Sequence, residues 1–112
     1  MSDCLFCRIV AGEVPATVVA ETERTVAFRD VAPQAPTHVL VVPRDHHAHA
    51  AACAAPDPGL LADLLVAAAD VARAEGLEGG YRLLTNTGPD AGQTVHHLHV
   101  HVLGGRALGA LG

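Results

Sequence analysis

Between His97 and Leu103 the chain alternates histidine with aliphatic residues: His97, His99 and His101 take odd positions, Leu98, Val100 and Val102 even ones. Successive strand side chains point to opposite faces, and residues two apart share a face at a spacing of about 6.6–6.8 Å. A period of two therefore predicts a strand over 97–103. Its aliphatic face packs on a core and its other face carries a column of imidazoles.

The rest of the chain supplies that core. Half of the 112 residues are apolar, but there is one Tyr, two Phe and no Trp, so Ala, Val and Leu build the interior. That length suits one domain over 1–112 and is too short for two. No repeat, linker or composition break divides it.

Element signals run in order. Residues 4–11 predict a short helix, and the runs 17–21 and 25–29 a hairpin turning at 22–24. Pro33 and Pro36 place a loop at 30–37. The β-branched run 38–42 predicts a buried central strand stopped by Pro43, and 44–56 a loop passing into helix. A longer helix is expected at about 58–75, capped by Asp57, with Pro58 in its first turn and Gly76 as its stop. Leu61, Leu64, Leu65, Ala68, Val71 and Ala72 form its apolar stripe. Tyr81–Thr85 predicts a strand, and Thr87–Gly92 a turn-rich loop. Strands with inserted helices give an α+β class with an antiparallel sheet.

Charge excludes some partners. The formal net charge is −5, and seven scattered basic residues make no stripe for nucleic acid. No apolar run approaches the roughly 20 residues of a membrane span. The start MSDCLFCRIV has no signal-peptide pattern, and three cysteines cannot all pair within one chain, which together predict a reducing, cytoplasmic setting.

Three readings compete for the imidazole column: polar positions filled by chance, a His-x-His metal site, or a catalytic imidazole beside others that tune it. Three histidines in strict alternation make chance the weakest. Gln93, Thr94 and Asn86 add uncharged groups suited to phosphoryl oxygens, Gly92 permits close backbone approach, and no Asp or Glu lies between Gly92 and Gly105. That context favours phosphoryl chemistry. Cys4-Leu5-Phe6-Cys7 is half of a zinc site by spacing, with two core cysteines or a redox pair as alternatives. His38 reads as an interior, hydrogen-bonded histidine, Cys53 as a small residue in an Ala-rich helix, and His47 and His49 as solvent-facing. His96, of opposite parity to the column, belongs with the core side or its edge.

The run Gln93–Arg106 (QTVHHLHVHVLGGR) resembles the His-φ-His-φ-His-φ-φ signature of the histidine triad (HIT) hydrolases, φ being apolar. The stretch from Phe28-Arg29-Asp30 through Pro33–His38 to Pro43 resembles the nucleoside-binding region of the Hint-like branch, and Gly80–Gly88 its strand before the triad. The resemblance covers nearly the whole chain. It implies a HIT-like meander sheet that dimerises into one continuous sheet. It implies hydrolysis of AMP phosphoramidates through a nucleotidyl-histidine on His99, with His97 and His101 assisting. Gln93 and Thr94 would meet phosphate oxygens or the leaving group, Asp30 the ribose and Asn86 the phosphate region. Phe28 and Val31 would line the base pocket.

Such a mechanism needs no metal at the reaction centre. Some bacterial HIT proteins with a C-x-x-C complete it with two histidines; here those would be His46 and His97, giving Cys4, Cys7, His46 and His97 a structural zinc. The tail after Arg106, Ala-Leu-Gly-Ala-Leu-Gly, departs from relatives that carry an aromatic tail. Sister activities, dinucleoside polyphosphate cleavage or nucleotidyl transfer, rank second, and a non-catalytic nucleotide-binding module third.

Overall fold

The structure, a computed structural model, describes residues 3–111. Helix α1 (Leu5–Val10) is followed by strands β1 (Val18–Glu21), β2 (Thr25–Arg29) and β3 (Thr37–Pro43). Helices α2 (Ala50–Ala54) and α3 (Pro58–Ala74) come next, then β4 (Tyr81–Leu84), a 3-10 turn (Pro89–Ala91) and β5 (Val100–Gly104). The five strands form one antiparallel sheet in the order β1-β2-β3-β5-β4, the α+β meander that the element order predicts.

Local chemistry sets the element ends. In the β1–β2 turn the Thr22 hydroxyl accepts from the Thr25 N–H at 3.0 Å and the Arg24 N–H at 3.3 Å, turning the hairpin without glycine. The Asp57 carboxylate caps α3 by accepting from the Leu60 N–H at 3.2 Å, and Arg24 pairs with the same carboxylate. Pro58 sits where a helix needs no N–H, and Gly76 takes φ +72° just beyond the C-terminus.

Strand β3 is buried along its whole length, and its two faces serve different layers. Val39 and Val41 join Val100 and Val102 of β5 against Leu60, Leu64 and Val71 of α3. Leu40 and Val42 face the other way, with Phe28 and with Phe6 of α1. The sheet is thus covered by α2 and α3 on one side and only partly by α1 on the other. That incomplete cover leaves room for a cleft.

Five expectations need correction. Strand β5 begins at Val100, not His97, because the ladders to β3 and β4 reach only Val41↔Val100 and Leu84↔His101. Before that, the Leu98 N–H donates to the His47 carbonyl at 2.6 Å instead of to a neighbouring strand. Parity therefore fails at His96, which is exposed. Pro43 ends β3 as a paired residue opposite Thr25; it faces β2 alone, so its missing N–H is not needed by β5. The buried stripe of α3 runs through Leu60, Leu64, Ala67, Ala68, Val71 and Ala72, while Leu65 is 52% exposed. An α-helix so rich in Ala and Leu is apolar nearly all round, so spacing alone cannot orient it. His49 is half-buried and caps α2 by accepting from the Ala52 N–H at 3.2 Å; His47 is half-buried too.

Candidate active site

Where α1 leaves the sheet open lies a cleft of about 300 Å³. Leu5, Phe6 and Ile9 of α1 form one wall, with Phe28 and Leu40 of the sheet behind them. Asp30, Asn86, Thr94, His99 and His101 supply polar groups of the lining. Val31, fully exposed, stands at the lip. Of the residues singled out in the sequence as substrate contacts, Phe28, Asp30, Val31, Asn86, Thr94, His99 and His101 are brought together here.

Gln93 is not among the cleft residues. It is 5% exposed, its carbonyl accepts from the Gly88 N–H at 2.9 Å, and its amide donates to the carbonyls of Ala48 at 2.7 Å and Val95 at 3.1 Å. It braces the loop that carries Thr94. His97, wholly buried, also lies outside the cleft lining.

The three imidazoles have different surroundings. His99 Nδ1 lies 2.7 Å from the His97 carbonyl. A carbonyl only accepts, so Nδ1 carries a proton, and in the neutral imidazole the lone pair is then on Nε2. The Phe6 ring stands edge-on to His99 with centroids 5.0 Å apart, and the Thr85 hydroxyl donates to the His99 carbonyl at 2.8 Å. These contacts hold the segment before β5, where no ladder does.

His101 Nδ1 is 2.8 Å from His38 Nε2, and His38 Nδ1 accepts from the Gln34 N–H at 3.0 Å. The backbone donor fixes neutral His38 with its proton on Nε2, which it gives to His101 Nδ1. The remaining N–H of His101 is then on Nε2. Burial pushes His101 down to about 4, with His99 and His38 adding to the shift and Asp30 opposing it. Burial also lowers His38, again against Asp30, whose carboxylate is 3.4 Å from His38 Nε2. Asp30, His38 and His101 are close enough to suggest a metal triad. With Nδ1 of His38 taken by a backbone N–H, however, neutral Nε2 bears a proton and is no ligand. The cluster is a hydrogen-bond chain.

Behind the cleft, His97 Nε2 donates to the Pro43 carbonyl at 2.9 Å, which leaves the Nδ1 lone pair available. Nδ1 lies 3.3 Å from Cys4 Sγ, 3.4 Å from Cys7 Sγ and 3.2 Å from His46 Nδ1. Cys7 Sγ is 3.4 Å from His46 Nδ1, and all four ligand atoms fall within 4.8 Å of one another. Tetrahedral zinc with two sulfur and two nitrogen ligands needs N···S and N···N edges of about 3.3–3.6 Å. The four groups fit a zinc ion in size and donor type, and His97 fits it in tautomer as well.

Sequence reasoning missed Leu5, Phe6, Ile9 and Leu40 as cleft walls and His38 as the brace of His101. The wall residues carry no chemical signature, and α1 meets the triad segment across some ninety residues of chain, as the Cys4–His97 separation of 93 shows. The parity of β3 does place His38, Leu40 and Val42 on one face, which was the available signal.

The fold and site define a small α+β protein with an imidazole, held by its hydrogen bond to the His97 carbonyl, in the lining of a largely apolar cleft. The chain belongs to the histidine triad family: the HIT domain pattern matches residues 11–108. It is 45% identical over 109 residues to the 14 kDa zinc-binding protein of Zea mays, covering 96% of this chain and 85% of the relative. Its fold matches a HIT family hydrolase from Clostridium thermocellum at TM-score 0.94 and 44% identity, covering 99% of this chain and 97% of the other. A histidine triad nucleotide-binding protein from Candida albicans matches at TM-score 0.83 and 32% identity, covering 98% and 84%.

Proposed function

We propose that this protein is a nucleotide-binding hydrolase that cleaves the P–N bond of AMP phosphoramidates through a nucleotidyl-histidine on His99. The observation that carries the reading is the 2.7 Å bond from His99 Nδ1 to the His97 carbonyl, which leaves Nε2 of the neutral ring as the nucleophilic nitrogen of a residue lining the cleft. The names of the Clostridium thermocellum and Candida albicans proteins support hydrolysis and nucleotide binding respectively.

In this reading the purine lies between α1 and Phe28, Val31 closes over its edge, and the Asp30 carboxylate accepts from the ribose hydroxyls. Nε2 of His99 bonds to the α-phosphorus as the P–N bond breaks. The leaving nitrogen takes a proton relayed from water by the Thr94 hydroxyl. Water then forms the new P–O bond as the Nε2–P bond breaks, and its proton returns to solvent by the same route. Phosphoramidate and water become AMP and a free amine. His101, neutral with its N–H on Nε2, hydrogen-bonds phosphoryl oxygen, as does Asn86; Gln93 acts by bracing the Thr94 loop. Cys4, Cys7, His46 and His97 hold a structural zinc, consistent with the name of the maize relative, and no metal is needed at phosphorus.

Charge favours a monophosphate over a polyphosphate. Among the described residues lining the cleft Arg29 is the only guanidinium, and it is paired with Glu75 at 2.6 and 3.1 Å. A dinucleoside polyphosphate would bring several negative charges to a cleft with no uncommitted cation. The same family reading makes the protein a homodimer in which an edge strand continues the sheet, and three cysteines that cannot all pair within one chain favour a reducing, cytoplasmic setting.

The test is turnover of AMP-morpholidate against a dinucleoside polyphosphate, with wild type and His99→Gly. Wild type should prefer the phosphoramidate. His99→Gly should lose about a thousandfold or more in kcat while still binding AMP. Unchanged turnover in that variant would end the proposal, and preference for the polyphosphate would replace it with the sister activity.

A further inference from the structure

Helix α1 does two things within six residues. Cys4, its cap, and Cys7, in its first turn, supply both thiol groups of the metal cluster. Leu5, Phe6 and Ile9, alternating with them, form the apolar wall of the cleft. An isolated helix shorter than about 12–15 residues is marginal in water, so α1 depends on its anchors. One is Phe6, 5% exposed, with its ring 5.4 Å from Phe28 and 5.0 Å from His99, edge-on to both. The other is the cluster itself, whose fourth member, His97, also lies 6.0 Å from the Phe6 ring and accepts the His99 Nδ1–H at its carbonyl.

Phe6 therefore lines the cleft and touches both His97 of the cluster and His99 of the cleft. We infer that metal occupancy at Cys4, Cys7, His46 and His97 and nucleotide affinity in the cleft are thermodynamically coupled, with Phe6 the positioning residue that transmits the coupling. The inference rests on the zinc and nucleotide readings given above. A metal that fixes α1 pre-forms the wall, and a nucleotide that packs on the wall holds the two thiols at ligand spacing. Linkage makes the two effects equal in size.

The probes are zinc and AMP, titrated against the full chain. Zinc should tighten AMP binding about fivefold or more, and AMP should tighten zinc binding by the same factor. Amide exchange in α1 should slow on zinc binding with little change in α3. Phe6→Ala should still bind zinc but show less than about a twofold mutual effect; Phe6→Leu, which keeps most of the volume, should restore part of it.

Stoichiometric zinc with identical AMP affinity in both states would overturn the coupling while leaving the zinc reading intact. Exchange slowed uniformly through the molecule would also overturn it, since the metal would then stabilise the whole fold. No zinc binding removes both the coupling and the metal reading. No AMP binding with or without zinc removes the coupling and the nucleotide reading together.

Discussion

His97 commits both ring nitrogens and its carbonyl to different neighbours: Nδ1 to the cysteine–histidine cluster, Nε2 to Pro43, and the carbonyl to His99. A residue used in three directions cannot also face a ligand, and its side chain is completely buried. Gln93 is similar, with its amide shared among three backbone groups. Truncating it leaves the Gly88 N–H and the Ala48 and Val95 carbonyls without a partner inside the protein. Gln93→Ala should therefore lower stability by about 1–3 kcal/mol, read as a shift in urea midpoint. A variant as stable as wild type would show that water replaces the amide at no cost. Both residues were visible in the sequence as members of a motif. Their direction was not, because an alternation of types gives a face only where the backbone is a strand, and β5 starts at Val100.

At the scale of elements, α3 shows how composition hides a buried face. Its Leu and Ala residues cover most of its circumference, so a stripe leaning toward Leu61 and Leu65 reads as well as the buried one, which shares Leu64, Ala68, Val71 and Ala72 with it and takes Leu60 and Ala67 instead. Packing against β3 and β5 selects Leu60 and Leu64 and leaves Leu65 outside. Leu64→Ala should cost about 2–5 kcal/mol by opening a cavity, whereas Leu65→Ala should stay within about 0.5 kcal/mol. Equal losses in chemical denaturation would place the face where the sequence had put it. The hairpin, the β3 run and the caps of α3 were legible because each rests on neighbours within a few residues: Thr22 with Thr25, Asp57 with Leu60. The cleft wall was not, since α1 reaches the sheet only when residues far apart in sequence come together.

For the whole molecule, burying neutral histidines ties stability to pH. His101 titrates near 4 when folded against an ordinary 6.5, and His38 is lowered as well. Between those values the unfolded chain binds more protons than the folded one, so stability rises with pH. It is lost as pH falls below 6.5 and levels off below about 4. His101 accounts for at most about 3 kcal/mol of this. Urea midpoints at pH 7 and 4.5, taken in chelator so that metal release does not enter, should differ less for His101→Asn than for wild type. Equal differences would mean that His101 is protonated as easily in the fold as outside it. Among the described residues no helix is long and apolar enough to cross a membrane.

By itself the sequence determined the α+β class, the order of the elements, and the chemical groups that the site contains. Those follow from local periodicity, turn chemistry and residue type, which act within a few residues. Only the tertiary structure decided which nitrogen of His38, His97, His99 and His101 carries the proton, that Gln93 and His97 turn away from the cleft, and that α1 walls one side of it. A tautomer is set by its hydrogen-bond partner, and for His97, His101 and His38 the deciding partners are Pro43, His38 and a loop N–H. The column of alternating histidines is thus one motif in the sequence and three environments in the fold.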